Sequence, residues 1–142
     1  MIVVLDASVV LKWLIADPKR EPDTEAAVEL MQAVARGELK VLQPIHWLIE
    51  VVGVLARHSP QRAIEDALLL QAMRIQTTDD PGILKRAIQL AVDTKQHVFD
   101  TLYHAVALET DDALLITADE RYRSKARPDQ KIVSLRDWEF TD

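Results

Sequence analysis

Cysteine is absent from the 142 residues, which excludes disulfides and thiolate metal sites and leaves oxygen or imidazole donors for any metal. Glycine occurs only at Gly37, Gly53 and Gly82, so there is no glycine-rich phosphate loop. No apolar run approaches the roughly 18 residues of a membrane span. The N-terminus enters strand patterning directly, without the basic region and apolar segment of a secretory leader, so a cytoplasmic protein with no membrane partner is expected. Repeats and low-complexity segments are missing as well. Positive charge is in deficit: the net charge of −6 argues against holding a polyanion by whole-surface electrostatics, though not against a local site. With 49% apolar and 28% charged residues, residues 1–142 are expected to form one domain with a sizeable core.

What is present is a series of short apolar runs alternating with helical patterns. Ile2 to Leu5 is too short and uniform for an amphipathic helix and reads as a strand buried on both faces, ending on Asp6. Val9 to Ile15 reads as a short buried helix, stopped by Asp17-Pro18. The loop Lys19 to Pro22 leads to Asp23 or Thr24 as cap of a helix that reaches about Arg36 and ends at Gly37. Lys40 to Gln43, closed by Pro44, is a second strand. Ser59-Pro60 opens a helix to about Met73, Arg74 to Thr78 is a third strand, and Asp80-Pro81 repeats the cap-and-proline device. Ala113 to Thr117 and Lys131 to Leu135 are the fourth and fifth strands, and the tail through Trp138 and Phe140 is expected against the sheet. Such alternation gives an α/β domain with a central parallel five-stranded sheet, covered on both faces through right-handed crossovers.

Four acids occupy positions that local structure explains only in part. Asp6 follows the first strand and Asp119 the fourth; each could simply cap the next helix. Glu50 lies within His46 to Arg57, an almost wholly apolar helix, where an ionised carboxylate is costly unless a cation, a donor or water meets it. Asp100 opens the buried helix Val98 to Leu108; it could cap that helix, but Tyr103 three residues on offers no capping box. His104, one turn later, falls on the face of Asp100. If the first and fourth strands are adjacent, Asp6 and Asp119 meet at the strand ends, where α/β sheets bind ligands, and Glu50 and Asp100 reach the same crevice from flanking helices.

Acids gathered in this way coexist by taking up protons or binding a hard cation. Oxygen-only ligands suit Mg2+ or Mn2+, and the matching reaction is metal-assisted phosphoryl chemistry: Asp6, Asp100 and Asp119 as metal acids, Glu50 as a further ligand or the acceptor of the water's proton. Ser8 and Thr117 are expected to donate to those carboxylates. Arg121, Arg123, Lys125, Arg127 and Lys131 form a cationic patch that is either a solvated face or the rim that meets a polyanion. A receiver domain would need an acidic pair at the first strand and a lysine after the fifth, and an aspartyl phosphatase a second aspartate at position 8, which is serine. A non-catalytic nucleic-acid or partner-binding module on the same fold is the alternative; loss of one acid would favour it, and all four are present.

The blocks VVLDASVVLKWL, PIHWLIEVVGVLAR, VFDTLYHAVALE and LLITADERYRSKA, in that order and each centred on an acid, resemble the PIN-domain nucleases, most closely the VapC toxins of type II toxin–antitoxin systems. The resemblance implies a three-layer α/β/α sandwich. It assigns Asp6, Glu50, Asp100 and Asp119 to a metal site, with Ser8 and Thr117 as associated polar positions, and implies Mg2+- or Mn2+-dependent endoribonuclease cleavage. Its expected partners are RNA, a cognate VapB-type antitoxin whose C-terminal segment blocks the cleft, and a second copy of the chain in a homodimer. Lys12, Arg57, His104, Arg121 and Arg123 are the expected RNA rim. One position departs from the family pattern: Gly53 stands where an asparagine is common, and a glycine inside a helix suggests close packing there.

Overall fold

The computed structural model describes residues 1–15, 23–126 and 130–139. The chain runs β1 (Ile2–Leu5), α1 (Ala7–Ile15), α2 (Thr24–Ala35), β2 (Lys40–Pro44), α3 (Trp47–His58), α4 (Ala63–Ala72), β3 (Gln76–Thr78), α5 (Pro81–Thr94), α6 (Val98–Leu108), β4 (Ala113–Thr117), α7 (Glu120–Lys125) and β5 (Ile132–Ser134). Every strand pairing is parallel, in the order β3-β2-β1-β4-β5. Leftward crossovers from β1 and rightward crossovers from β3 and β4 put their helices on opposite faces when all are right-handed. The packing agrees: α1 lies against α2 and α3, whereas α6 lies over β1, β2 and β4 with α5 behind it. The parallel five-stranded α/β sandwich is the one expected.

Burial explains why the middle strands read as unbroken apolar runs. Val3, Val4, Leu5, Leu115 and Ile116 are buried, covered by Val9 and Val10 of α1 and by Tyr103, Val106 and Ala107 of α6 in one core. The strand order reverses direction between β1 and β4, which makes their C-terminal ends the switch point where such sheets leave a crevice.

Local signals set most boundaries. Asp80 caps α5, its carboxylate accepting from the Gly82 N–H at 2.8 Å, and Gly37 takes the left-handed conformation at φ 73°. Five expectations need correction. First, α1 begins at Ala7 because the Asp6 carbonyl already accepts from Val9 N. Second, Ser59 ends α3, its N–H bonded to the Leu55 carbonyl, so α4 starts at Ala63 after one further turn. Third, Asp23 stands at the N-cap of α2 without a side-chain cap bond. Fourth, β3 and β5 are shorter than expected, because Arg74 and Lys131 turn left-handed (φ 50° and 53°) and Leu135 enters a 3-10 turn. Fifth, Gly53 is exposed and a Cβ there meets nothing within 4 Å, so close packing is not its reason. Trp138 packs against the core; Asp17-Pro18, the 19–22 loop, Arg127 and Phe140 lie outside the described residues.

The sheet carries one substitution of side chain for backbone. Strands β1 and β2 pair at Ile2↔Lys40 and Val3↔Val41, a register that would set Gln43 opposite Leu5. There the buried Gln43 amide takes over: its Oε1 accepts from Leu5 N and its Nε2 donates to the Leu5 carbonyl, each at 2.8 Å. Meanwhile β2 pairs with β3 from Leu42 to Pro44. Both polar groups of Leu5 are satisfied, as burial demands, while the β2 backbone stands one side chain away at the mouth of the crevice.

Candidate metal and nucleic-acid site

At the switch point the two strand-to-helix junctions are stitched together. Asp6 N donates to the Ile116 carbonyl at 3.0 Å, so Asp6 leaves β1 alongside the end of β4. Its Oδ2 accepts from Ser8 Oγ, from Thr117 Oγ1 at 3.2 Å and from Ser8 N at 3.3 Å. Ser8 Oγ in turn accepts from Ala118 N, and Thr117 Oγ1 from Asp119 N, both at 3.0 Å. Asp119 caps α7, its Oδ1 accepting from Tyr122 N at 3.1 Å. Capping and site placement are therefore the same fact for Asp6 and Asp119.

The other two acids come from helix first turns. Asp100 lies inside the first turn of α6, whose N-cap is His97, so it is not the cap. Glu50, on α3, is partly buried; its Oε2 accepts from Tyr103 Oη at 2.9 Å and stands 3.1 Å from His46 Nε2. His46 Nε2 also lies 2.9 Å from the Phe99 carbonyl, and the ring packs between Phe99 and Tyr103, with centroids 5.5 and 5.0 Å away. Sequence reasoning missed Tyr103 and His46. The available signal was spacing, since Tyr103 lies three residues after Asp100 and His46 four before Glu50.

The acids are near enough to perturb one another's ionisation. Burial, opposed by the Ser8 hydrogen bond and reinforced by Asp100 and Glu50, pushes the Asp6 carboxyl up to about 6. The Asp100 carboxyl is also raised, by burial and then by Glu50 and Asp119, with His97 and His46 opposing. Burial and the acids around them raise the phenols of Tyr103 and Tyr122 far above the ordinary tyrosine value.

The rim is only partly as expected. His104 is a correction: it is buried, Nδ1 lying 2.9 Å from Tyr122 Oη and Nε2 2.6 Å from the Gln130 carbonyl, so its ring nitrogens tie α6 to α7 and to the segment before β5. A group so enclosed cannot meet phosphate. Burial accordingly lowers its pKa. Lys131 is engaged too, donating to the Thr110 carbonyl at 2.6 Å. Arg57 and Arg121 are exposed and Arg123 half-buried. Lys12 lines a cleft of about 340 Å³ with Ser8, Leu11, Val54, His58 and Ala118. That cleft adjoins the carboxylates through Ser8 rather than containing them.

Whether a divalent ion fits is decided by donor chemistry. Among the described residues no three carboxylate or imidazole groups already enclose one point closely enough to hold an ion. Mg2+, however, keeps several waters and takes only one or two direct carboxylates, and both the burial that chiefly raises Asp6 and Asp100 and the smaller repulsion from neighbouring acids are offset by positive charge. The donor set fits a hydrated hard cation.

The fold and site define a parallel α/β domain with acids from two strand ends and from the first turns of two helices around its switch point. Residues 3–128 match the family described as PIN domain, and the chain belongs to that family, whose members are generally metal-dependent nucleases. No individually curated protein matches the sequence. Among the described residues no helix is long and apolar enough to cross a membrane.

Proposed function

We propose that this PIN domain is a Mg2+- or Mn2+-dependent endoribonuclease acting in the cytoplasm as the toxin of a type II toxin–antitoxin pair, VapC-like in kind. The observation that carries the reading is the stitched pair of strand ends, Thr117 Oγ1 donating to Asp6 while accepting from Asp119 N, with Glu50 and Asp100 near enough to perturb the Asp6 carboxyl. Asp6, Asp100 and Asp119, with Glu50, would hold the cation. When bound, it supplies Lewis-acid activation of water and neutralises charge on the phosphodiester. Ser8 and Thr117 fix the Asp6 carboxylate by donating to one of its oxygens, and Glu50 either binds the cation directly or accepts the proton of the attacking water. Water adds to phosphorus, one P–O bond breaks, and the products are a phosphomonoester and a hydroxyl. Lys12, Arg57, Arg121 and Arg123 contact flanking phosphates, which position the strand without reading its sequence.

The antitoxin and homodimer rest on the sequence resemblance. They gain support from the exposed apolar side chains Ile64, Leu68 and Leu69 on α4 and Leu84, Ile88 and Val92 on α5, surface of the kind that partners cover. The test is to incubate the purified protein with structured RNAs and Mg2+, Mn2+ or chelator, beside Asp6→Asn. Metal-dependent cleavage lost in the variant is the expected result; cleavage indifferent to both chelator and substitution removes the mechanism. Unimpaired bacterial growth at high levels of folded wild-type protein removes the toxin role.

A further inference from the structure

Glu50 is held differently from the other three acids. Tyr103 on α6 donates its hydroxyl hydrogen to Oε2 at 2.9 Å, and His46 at the start of α3, whose Nε2 hydrogen is directed to the Phe99 carbonyl, packs with that nitrogen 3.1 Å from the same oxygen. Among the described residues no hydrogen bond to Oε1 accompanies them. Neither partner is free to turn away. Tyr103 is fully buried beneath the site. The His46 ring is pinned by the Phe99 carbonyl, which can only accept and so requires hydrogen on Nε2, and by the flanking rings of Phe99 and Tyr103. The opposite ring nitrogen, Nδ1, is buried without a partner, so fold stability gains nothing from the orientation on that side. A lone buried nitrogen is tolerated where the rest of the ring has a task.

We infer that Tyr103 and His46 are positioning residues for the metal site, clamping Oε2 of Glu50 so that the glutamate offers the single oxygen Oε1 to the cation or the attacking water. The inference rests on the proposed metal site and deepens it. Fixing one carboxylate oxygen removes the rotation that would otherwise let a half-buried glutamate chelate through both oxygens or swing toward solvent. It also joins α3 to α6 across the crevice, so the acid of one layer is aligned by the other. Partners that orient a metal-binding group in this way are commonly worth about 10–100-fold in affinity or activity when removed.

The test is Mn2+ binding, followed by electron paramagnetic resonance or calorimetry on the full chain without RNA, for wild type, Tyr103→Phe, His46→Ala, His46→Gln, Glu50→Gln and the double variant Tyr103→Phe/Glu50→Gln. Tyr103→Phe keeps the ring and removes only the hydroxyl. The expected result is an about tenfold weaker Mn2+ affinity for Tyr103→Phe and for His46→Ala, partial rescue by His46→Gln, whose amide can still donate, and no further loss on adding Tyr103→Phe to Glu50→Gln. In RNA cleavage kcat falls while KM holds. A folded Tyr103→Phe that binds Mn2+ within twofold of wild type overturns the inference, as does an equal loss in the Glu50→Gln background. If Tyr103→Phe fails to fold, the His46 pair decides by the same criteria. Wild-type protein that binds no Mn2+ overturns the metal site itself, a result distinct from failure of the clamp.

Discussion

Three aspartates in this chain do the same local job, and only two of them belong to the candidate site. Asp6, Asp80 and Asp119 each follow a strand, and each carboxylate accepts a backbone N–H in the first turn of the next helix. Asp80 follows β3 at the edge of the sheet, is exposed, and bonds only within its own turn among the described residues, to Thr78, Gly82 and Ile83. Asp6 and Asp119 follow β1 and β4, neighbours in the sheet whose crossovers leave in opposite directions. Local chemistry makes a capping aspartate; topology decides whether it is more than a cap.

The strongest way to break this comparison is to remove one aspartate from each setting. Asp6→Asn is expected to lower metal-dependent RNA cleavage by at least about a hundredfold, whereas Asp80→Ala leaves the rate within twofold and costs only about 1 kcal/mol of stability as a lost cap. Equal kinetic losses in single-turnover assays would erase the distinction. A smaller effect sharpens it. The folded carboxyl of Asp6 sits at about 6, above the unfolded value near 3.9, so its proton binds the folded state more tightly. Its stabilising contribution is therefore full below pH ~4 and is lost as pH rises through about 6. In chelator, urea melts should show wild type losing up to about 3 kcal/mol relative to Asp6→Asn between pH ~4 and ~7.5. The smallest effect concerns the helix that carries Glu50. Gly53→Ala meets open space and should raise stability by about 0.5–1 kcal/mol, while Gly37→Ala, at φ 73°, should lower it; paired thermal melts check the opposite signs.

The same contrast marks what the sequence could and could not disclose. Strands showed because Ile2–Leu5 and Ala113–Thr117 are apolar on both faces, and their acids showed because each stands where such a run stops. Adjacency of β1 and β4 had to be assumed, since nothing local in either strand specifies its neighbour. Tyr103 stayed hidden because its bond to Glu50 joins α6 and α3 across 53 positions, beyond any periodicity, whereas His46 lies four residues before Glu50, within reach of helical spacing. His104 misled for a related reason. Four residues on from Asp100 is the same helix face, yet one turn, about 5.4 Å, carries it from the crevice to the Tyr122 hydroxyl and the Gln130 carbonyl. Helical phase gives direction, not depth.

Gln43 has a bearing on how far apart the jaws of this crevice stand. Because an amide on two methylenes replaces the peptide ladder at Leu5, the gap between β1 and the chain leading into α3 is set by the length of one side chain. Asparagine would draw that chain, and Glu50 with it, inward by one carbon; a glutamate could not donate to the Leu5 carbonyl while ionised. The spacing between the acid that follows β1 and the acid on α3 is thereby written into a residue whose amide bonds the Leu5 backbone.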